Sequence, residues 1–179
     1  MDALECILKR RSIRRFRPEK LPRELAEQII GYTRFSPSWA NTKTARYFFV
    51  EDDETRLRIA ACCTDHNRAI VEGAPNLFVL TGVTGRSGIE RDGSTPYVTH
   101  TPSEWLMFDS GLATQTLCLA AEALGVGTLI MGGYDLTAIA AQLPIPEDEV
   151  LIAVIAAGYP DETPVAPRRK EVGELLRVL

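Results

Sequence analysis

From Glu104 to Leu124 the chain reads as one long helix whose apolar residues, among them Leu106, Met107, Phe108, Leu112, Leu117, Cys118 and Leu119, project in nearly every direction. A helix that is apolar all round has to be covered all round. A chain of 179 residues can do this by burying the helix at its centre. It can also do it across a dimer, because Gly111, Ala113, Ala120 and Ala121 permit close helix packing. Periodicity leaves both arrangements open, and Gly125 supplies the C-cap.

The rest of the pattern alternates helices with apolar strands. Asp2 to Arg11 has helical spacing, with Leu4, Ile7 and Leu8 on one face and Asp2 placed to cap it. Pro22 opens a second amphipathic helix, RELAEQIIGYTRF. Ser36 to Thr44 is a polar loop, Tyr47 to Val50 a short strand, and a third helix begins at Asp52 to Glu54. NLFVLTG after Pro75 is a buried strand, VGTLIMGG a second, and VLIAVIAAGY the last, with a short helix over Asp135 to Gln142 between them. Gly82 to Ser103 is expected to be a long binding loop or lid. This order predicts a single α/β or α+β domain over residues 1–179.

Lys9 to Arg17, KRRSIRRFR, packs six cations and one hydroxyl, Ser12, into nine positions. Forked guanidinium donors beside a serine suit a phosphate, although a solvated helix end or a nucleic-acid patch has the same composition. A second cluster, Arg168, Arg169 and Lys170, lies near the other end. Of 20 Lys and Arg, only eleven lie outside these clusters, against all 24 Asp and Glu. That acidic remainder repels a long polyanion, so a small phosphorylated ligand fits better than nucleic acid.

No apolar run reaches the roughly 18 to 20 residues of a membrane span, and no secretory signal is expected, which places the chain in the cytoplasm. Cys6, Cys62, Cys63 and Cys118 have no disulfide-like spacing. Cys62, Cys63 and His66 lack a second pair to close a zinc site, so no metal is expected. Gly82, Gly85 and Gly88 do not have the spacing of a nucleotide loop.

Several separate segments, in order, resemble the nitroreductase family of FMN-dependent oxidoreductases: Arg10 to Arg14, Ser36 to Asn41, Phe108-Asp109 to Gln115, Gly125 to Thr128 with Gly132 to Asp135, and Gly158 to Glu162 before Arg169-Lys170. The resemblance implies a three-layer α+β sandwich with a mixed, mainly antiparallel central sheet, in an intertwined homodimer with FMN at the subunit interface. It assigns Arg10, Arg11, Ser12, Arg169 and Lys170 to the phosphate and ribityl chain, and Arg14 to the pyrimidine edge of the flavin. Ser38 and Asn41 match a flavin-contacting loop, Asn67 an asparagine at the pyrimidine edge, and Gly132 and Gly133 backbone near N5. Relatives commonly continue the asparagine loop with glutamine, then Pro or Cys, then Trp; here Thr42, Lys43, Thr44 and Ala45 follow, which reshapes the pocket.

The implied activity is hydride transfer from NADH or NADPH to a small electron acceptor (nitroaromatic, quinone or enone) by a ping-pong cycle. Flavin carries that chemistry, so no catalytic side chain is expected. The alternatives are a specialised enzyme of the same fold, for dehalogenation, flavin breakdown or ring dehydrogenation, and a low-turnover flavin-binding module.

Overall fold

A computed structural model describes residues 2–90, 92–94 and 101–179. Its centre is a sheet of β1 (Ala45–Val50), β2 (Asn76–Val83), β3 (Gly127–Met131) and β4 (Glu149–Gly158), in the order β1-β2-β4-β3 with every strand pair antiparallel. An isolated parallel bridge, Ser12 to Thr128, gives it the mixed character the resemblance implies. The central strands read as apolar runs without alternation because both faces are covered. Leu77, Val79, Val154 and Ala156 enter one core; Phe78, Ile155 and Ala157 enter the other.

Ile59 and Ala60 of α3 (Asp53–Ala61), Ile70 and Val71 of α4 (Asp65–Gly73) and Ile139 of α6 (Leu136–Ala140) cover the first face. Ala26 and Ile29 of α2 (Arg23–Thr33) and Leu117, Cys118 and Ala121 of α5 (Pro102–Ala123) cover the second. These three layers match the expected sandwich. The helix α4 has no counterpart in the sequence reading: its first turn, Asp65 to Arg68, is polar, and Thr64 makes no side-chain capping bond. The expected loop over Gly82 to Ser103 is shorter at both ends, since Gly82 belongs to β2 and Pro102 to α5. Part of that loop, Arg91 and 95–100, lies outside the described residues.

Both ends of α5 are built by local chemistry. Thr101 and Glu104 form a capping box with Pro102 in the first turn. At the other end Gly125 adopts φ +77°, and the N–H groups of Gly125 and Val126 return to the carbonyls of Glu122 and Ala121 at 3.0 and 2.8 Å. This is the Schellman arrangement that glycine favours. Within one chain the helix is covered on a single stripe, Leu106, Asp109, Ser110, Ala113, Thr114, Leu117, Cys118 and Ala121. Met107 and Phe108 are 56% and 59% exposed, and a Cβ added at Gly111 meets nothing within 4 Å.

Asp2 caps α1 (Ala3–Lys9) by accepting from Glu5 N at 2.8 Å. The predicted apolar face exists but points outward, with Leu4, Ile7 and Leu8 at 73%, 54% and 72% exposure. The chain beyond Glu162 is likewise exposed through most of its length, including the short α7 (Val172–Leu175). Among the described residues, no helix is long and apolar enough to cross a membrane.

Between α1 and α2 the basic segment is an extended strap. Ile13 and Phe16 are buried in the first core, and Ile13 N donates to Thr128 O at 3.0 Å and Arg17 N to Tyr159 O at 2.9 Å. The paired glycines Gly127 and Gly158 make room for it. A Cβ at Gly127 would sit 2.7 Å from Ile13 Cγ1, and one at Gly158 3.1 Å from a Phe16 ring carbon. Glu162 fastens the strap by accepting from Arg14 N at 2.5 Å and Arg15 N at 3.2 Å. These backbone N–H groups, with the Arg15 guanidinium, hold its carboxyl below the usual glutamate range. A lowered carboxyl pKa adds stability above its unfolded value and loses it as pH falls through the folded one. Glu162→Gln should therefore melt lower than the parent near neutral pH, and the gap should close below about pH 4. Thermal melts of both proteins from pH 3 to 7 check this.

Candidate functional site

The strap decides where the first predicted residues go. Burial of Ile13 and Phe16 leaves Arg14, Arg15 and Arg17 exposed and Arg10, Arg11 and Ser12 half-buried beside the start of β3. Arg11 also finishes α1, its Nη1 donating to Leu8 O at 2.7 Å and Arg10 O at 2.8 Å, so part of its guanidinium is committed to the helix end. Arg14 Nη1 reaches Ser12 O at 3.3 Å. Among the described residues, Arg10, Arg11 and Arg14 form no salt bridge. An anion approaching this edge meets guanidinium groups whose charge is not neutralised.

The opposite end of β3 carries Gly132 and Gly133. Gly133 O accepts from Thr64 N at 3.1 Å and from Asn67 Nδ2 at 3.0 Å, while Asp135 N donates to Cys62 O at 2.8 Å. The junction of α3 and α4 thus zips onto the strand after the glycines, with Cys63 and Tyr134 bridged. Sequence reading proposed Asn67 and Gly133 separately; the fold brings them into contact. A Cβ at Gly133 would lie 2.9 Å from Asn67 Nδ2, whereas one at Gly132 would meet nothing within 4 Å. Backbone at Gly132 therefore borders open space that a planar ring can approach. Tyr134 donates to Ile152 O at 3.1 Å, and burial pushes its hydroxyl pKa up.

Ser38 and Asn41 belong to the other edge of the sheet. They lie in the segment that leads into β1, around a 3₁₀ turn over Trp39–Asn41. β1 and β3 are at opposite edges of the sheet, three strand spacings or about 14 Å from strand to strand. Ser38 Oγ accepts from Lys43 N at 3.0 Å. Arg169 and Lys170 are exposed on the C-terminal tail. Cys62 and Cys63 direct their thiols to Arg58 O and Ile59 O at 3.3 and 3.4 Å. Burial, and then the neighbouring Cys62, push the Cys63 thiol pKa up.

A groove of about 730 Å³ runs between α2, β1 and the start of α5, floored by Ile30, Tyr47, Phe49 and Phe78. Among the predicted residues only Ser38 lines it, so it is distinct from the place where the strap and the glycine pair present their donors.

Three residues that matter to this geometry were absent from the predicted set. Glu162 gives no local signal because its partners are 147 and 148 positions away. Thr64 gives none because it acts through its backbone. Asp109 is legible as the one charge among the stripe residues of α5.

The sequence pattern of the nitroreductase family matches residues 7–159. An NADH dehydrogenase from Thermus thermophilus is 31% identical over 90% of this chain and 88% of its own length. An NADPH-flavin oxidoreductase from Vibrio harveyi is 29% identical over 93% of this chain and 70% of its own. A structure from Desulfovibrio desulfuricans, solved in complex with FMN, superposes with a TM-score of 0.77 and 28% identity over 98% of this chain and 95% of its own. With the family pattern spanning the strap, the α3–α4 junction, the glycine pair and all four strands, this chain belongs to the nitroreductase family.

Proposed function

We propose that residues 1–179 form an FMN-dependent oxidoreductase domain that takes hydride from NADH or NADPH and passes it to a nitroaromatic, quinone or enone acceptor in a ping-pong cycle. The observation that carries this reading is β3, which has guanidiniums free of salt bridges and Ser12 along one end and an open glycine backbone held by Asn67 at the other. Those donors suit FMN. Arg10, Arg11 and Ser12 would hold its phosphate and ribityl chain, joined by Arg169 and Lys170, with Ser38, Asn41 and Asn67 around the ring and Gly132 and Gly133 beside it. Bound FMN supplies reversible two-electron chemistry, so the chain needs no side-chain nucleophile.

The residues contribute binding, orientation and charge. The Arg14 guanidinium, placed by the resemblance at the pyrimidine edge, would lower the energy of negative charge developing there on reduction. Asn67, fixed by its bond to Gly133 O, sets the attitude of the glycine peptides. Gly132, where a Cβ would meet nothing within 4 Å, would let the ring approach the backbone. The ring-contacting loop and the strap lie at opposite edges of one sheet, which supports a site completed by two chains. Exposed Leu4, Ile7 and Leu8, Met107 and Phe108, and the C-terminal apolar residues are the surface that a homodimer would cover.

Purified protein should show flavin absorbance that bleaches anaerobically on adding NADH or NADPH and returns with an acceptor. A colourless protein that FMN cannot reconstitute would end this reading. The double substitution Arg10→Ala with Arg169→Ala should weaken FMN retention by roughly a hundredfold or more, since charged hydrogen bonds are each worth about 1.5 to 3 kcal/mol. Equilibrium dialysis measures it, and full retention would remove both residues from the phosphate site. Gly111→Trp faces open space in one chain, so it should leave the fold intact while shifting sedimentation from dimer to monomer and releasing flavin.

A further inference from the structure

Asp109 is 3% exposed and, among the described residues, has no salt-bridge partner. Its carboxylate is used on two loops instead. Both oxygens lie 3.0 Å from the backbone N–H of Trp39, and Oδ2 accepts from Ser87 Oγ at 2.6 Å. Ser87 Oγ in turn lies 3.2 Å from Thr42 Oγ1, so one carboxylate ties the asparagine loop both directly and through the glycine-rich loop.

What is tied is a costly conformation. Ala40, Asn41 and Lys43 have φ of +40°, +57° and +54°, a region that non-glycine residues occupy only when their surroundings impose it. The indole of Trp39 packs on Trp105 with ring centroids 4.5 Å apart, and Trp105 meets Phe108 edge-on at 5.6 Å. Leucine at position 109 would suit both the helix and its apolar neighbours better than a desolvated carboxylate. The charge is therefore explained by what it holds.

We propose that Asp109 is a positioning residue that clamps the asparagine loop to α5 and to the Ser87 loop, fixing Asn41 in the left-handed geometry in which it meets the ligand. That this ligand is FMN rests on the function proposed above; the clamp itself does not. The arrangement also makes Thr42 and Ser87 the coupling between the asparagine loop and the glycine-rich loop.

The chain has two tryptophans, Trp39 and Trp105, so the near-UV circular dichroism of tryptophan reports the clamped contact with or without flavin. The test compares the full-length parent with Asp109→Leu, which removes every acceptor, and with Asp109→Asn, which keeps one for Trp39 and offers its amide to Ser87 Oγ. Asp109→Leu should lose the tryptophan signal and raise the FMN dissociation constant about tenfold, while Asp109→Asn stays within about threefold and keeps the signal. An unchanged signal in Asp109→Leu overturns the clamp. A lost signal with FMN affinity and acceptor KM unchanged overturns the positioning role. Should Asp109→Leu not fold, Asp109→Ala, which also removes every acceptor, takes its place: a reduced tryptophan signal supports the clamp and an unaltered one refutes it. If the parent protein takes up no FMN at all, the flavin reading fails, and the Leu and Asn signals still decide the clamp.

Discussion

The docking of the strap onto β3 is the constraint on which the rest depends. Two side chains, Ile13 and Phe16, enter the core beside a pair of glycines whose missing Cβ atoms leave room for them. Once they are buried, the backbone between them has to run along the sheet edge, and its arginines have to face away from the core. A basic segment that composition alone would leave floating in solvent becomes a fixed array. Glu162 then seals it from the end of β4, joining positions almost as far apart in sequence as the chain allows.

From that edge the rest of the candidate site follows by strand geometry. β3 carries the strap at its start and the glycines at its finish, so the strap's guanidiniums and the glycine backbone share one rigid support. Lying on the far side of the sheet, the asparagine loop is governed by another device, a buried carboxylate in the middle of α5. The helix that roofs one core thus also sets the conformation of a loop. Its outer face, with Phe108 and the open side of Gly111, is left for something else to cover.

Much of this was legible in the residues. Apolar runs mark the four strands, Gly125 stops the long helix as its position predicts, and Asp2 caps the first helix, whereas the Thr101 capping box starts the long helix two residues before the expected Glu104. The helix α4 was missed because two buried residues, Ile70 and Val71, do not make a period. Helix α1 was read correctly as amphipathic, but periodicity cannot say what an apolar face packs against. In the sequence the predicted site residues stand as separate groups of chemistry. Only tertiary structure reveals that Asn67 and Gly133 touch and that Arg11 commits donors to the helix end.

The outward apolar face of α1 has a consequence for how such a protein is made. Leu4, Ile7 and Leu8 stay exposed within their own chain. If a second copy is what covers them, the folded state becomes a function of protomer concentration, and dilution alone erodes stability. Newly made chains would then pass through an interval of adhesive surface whose length is set by encounter frequency, so that abundance and solubility rise and fall together.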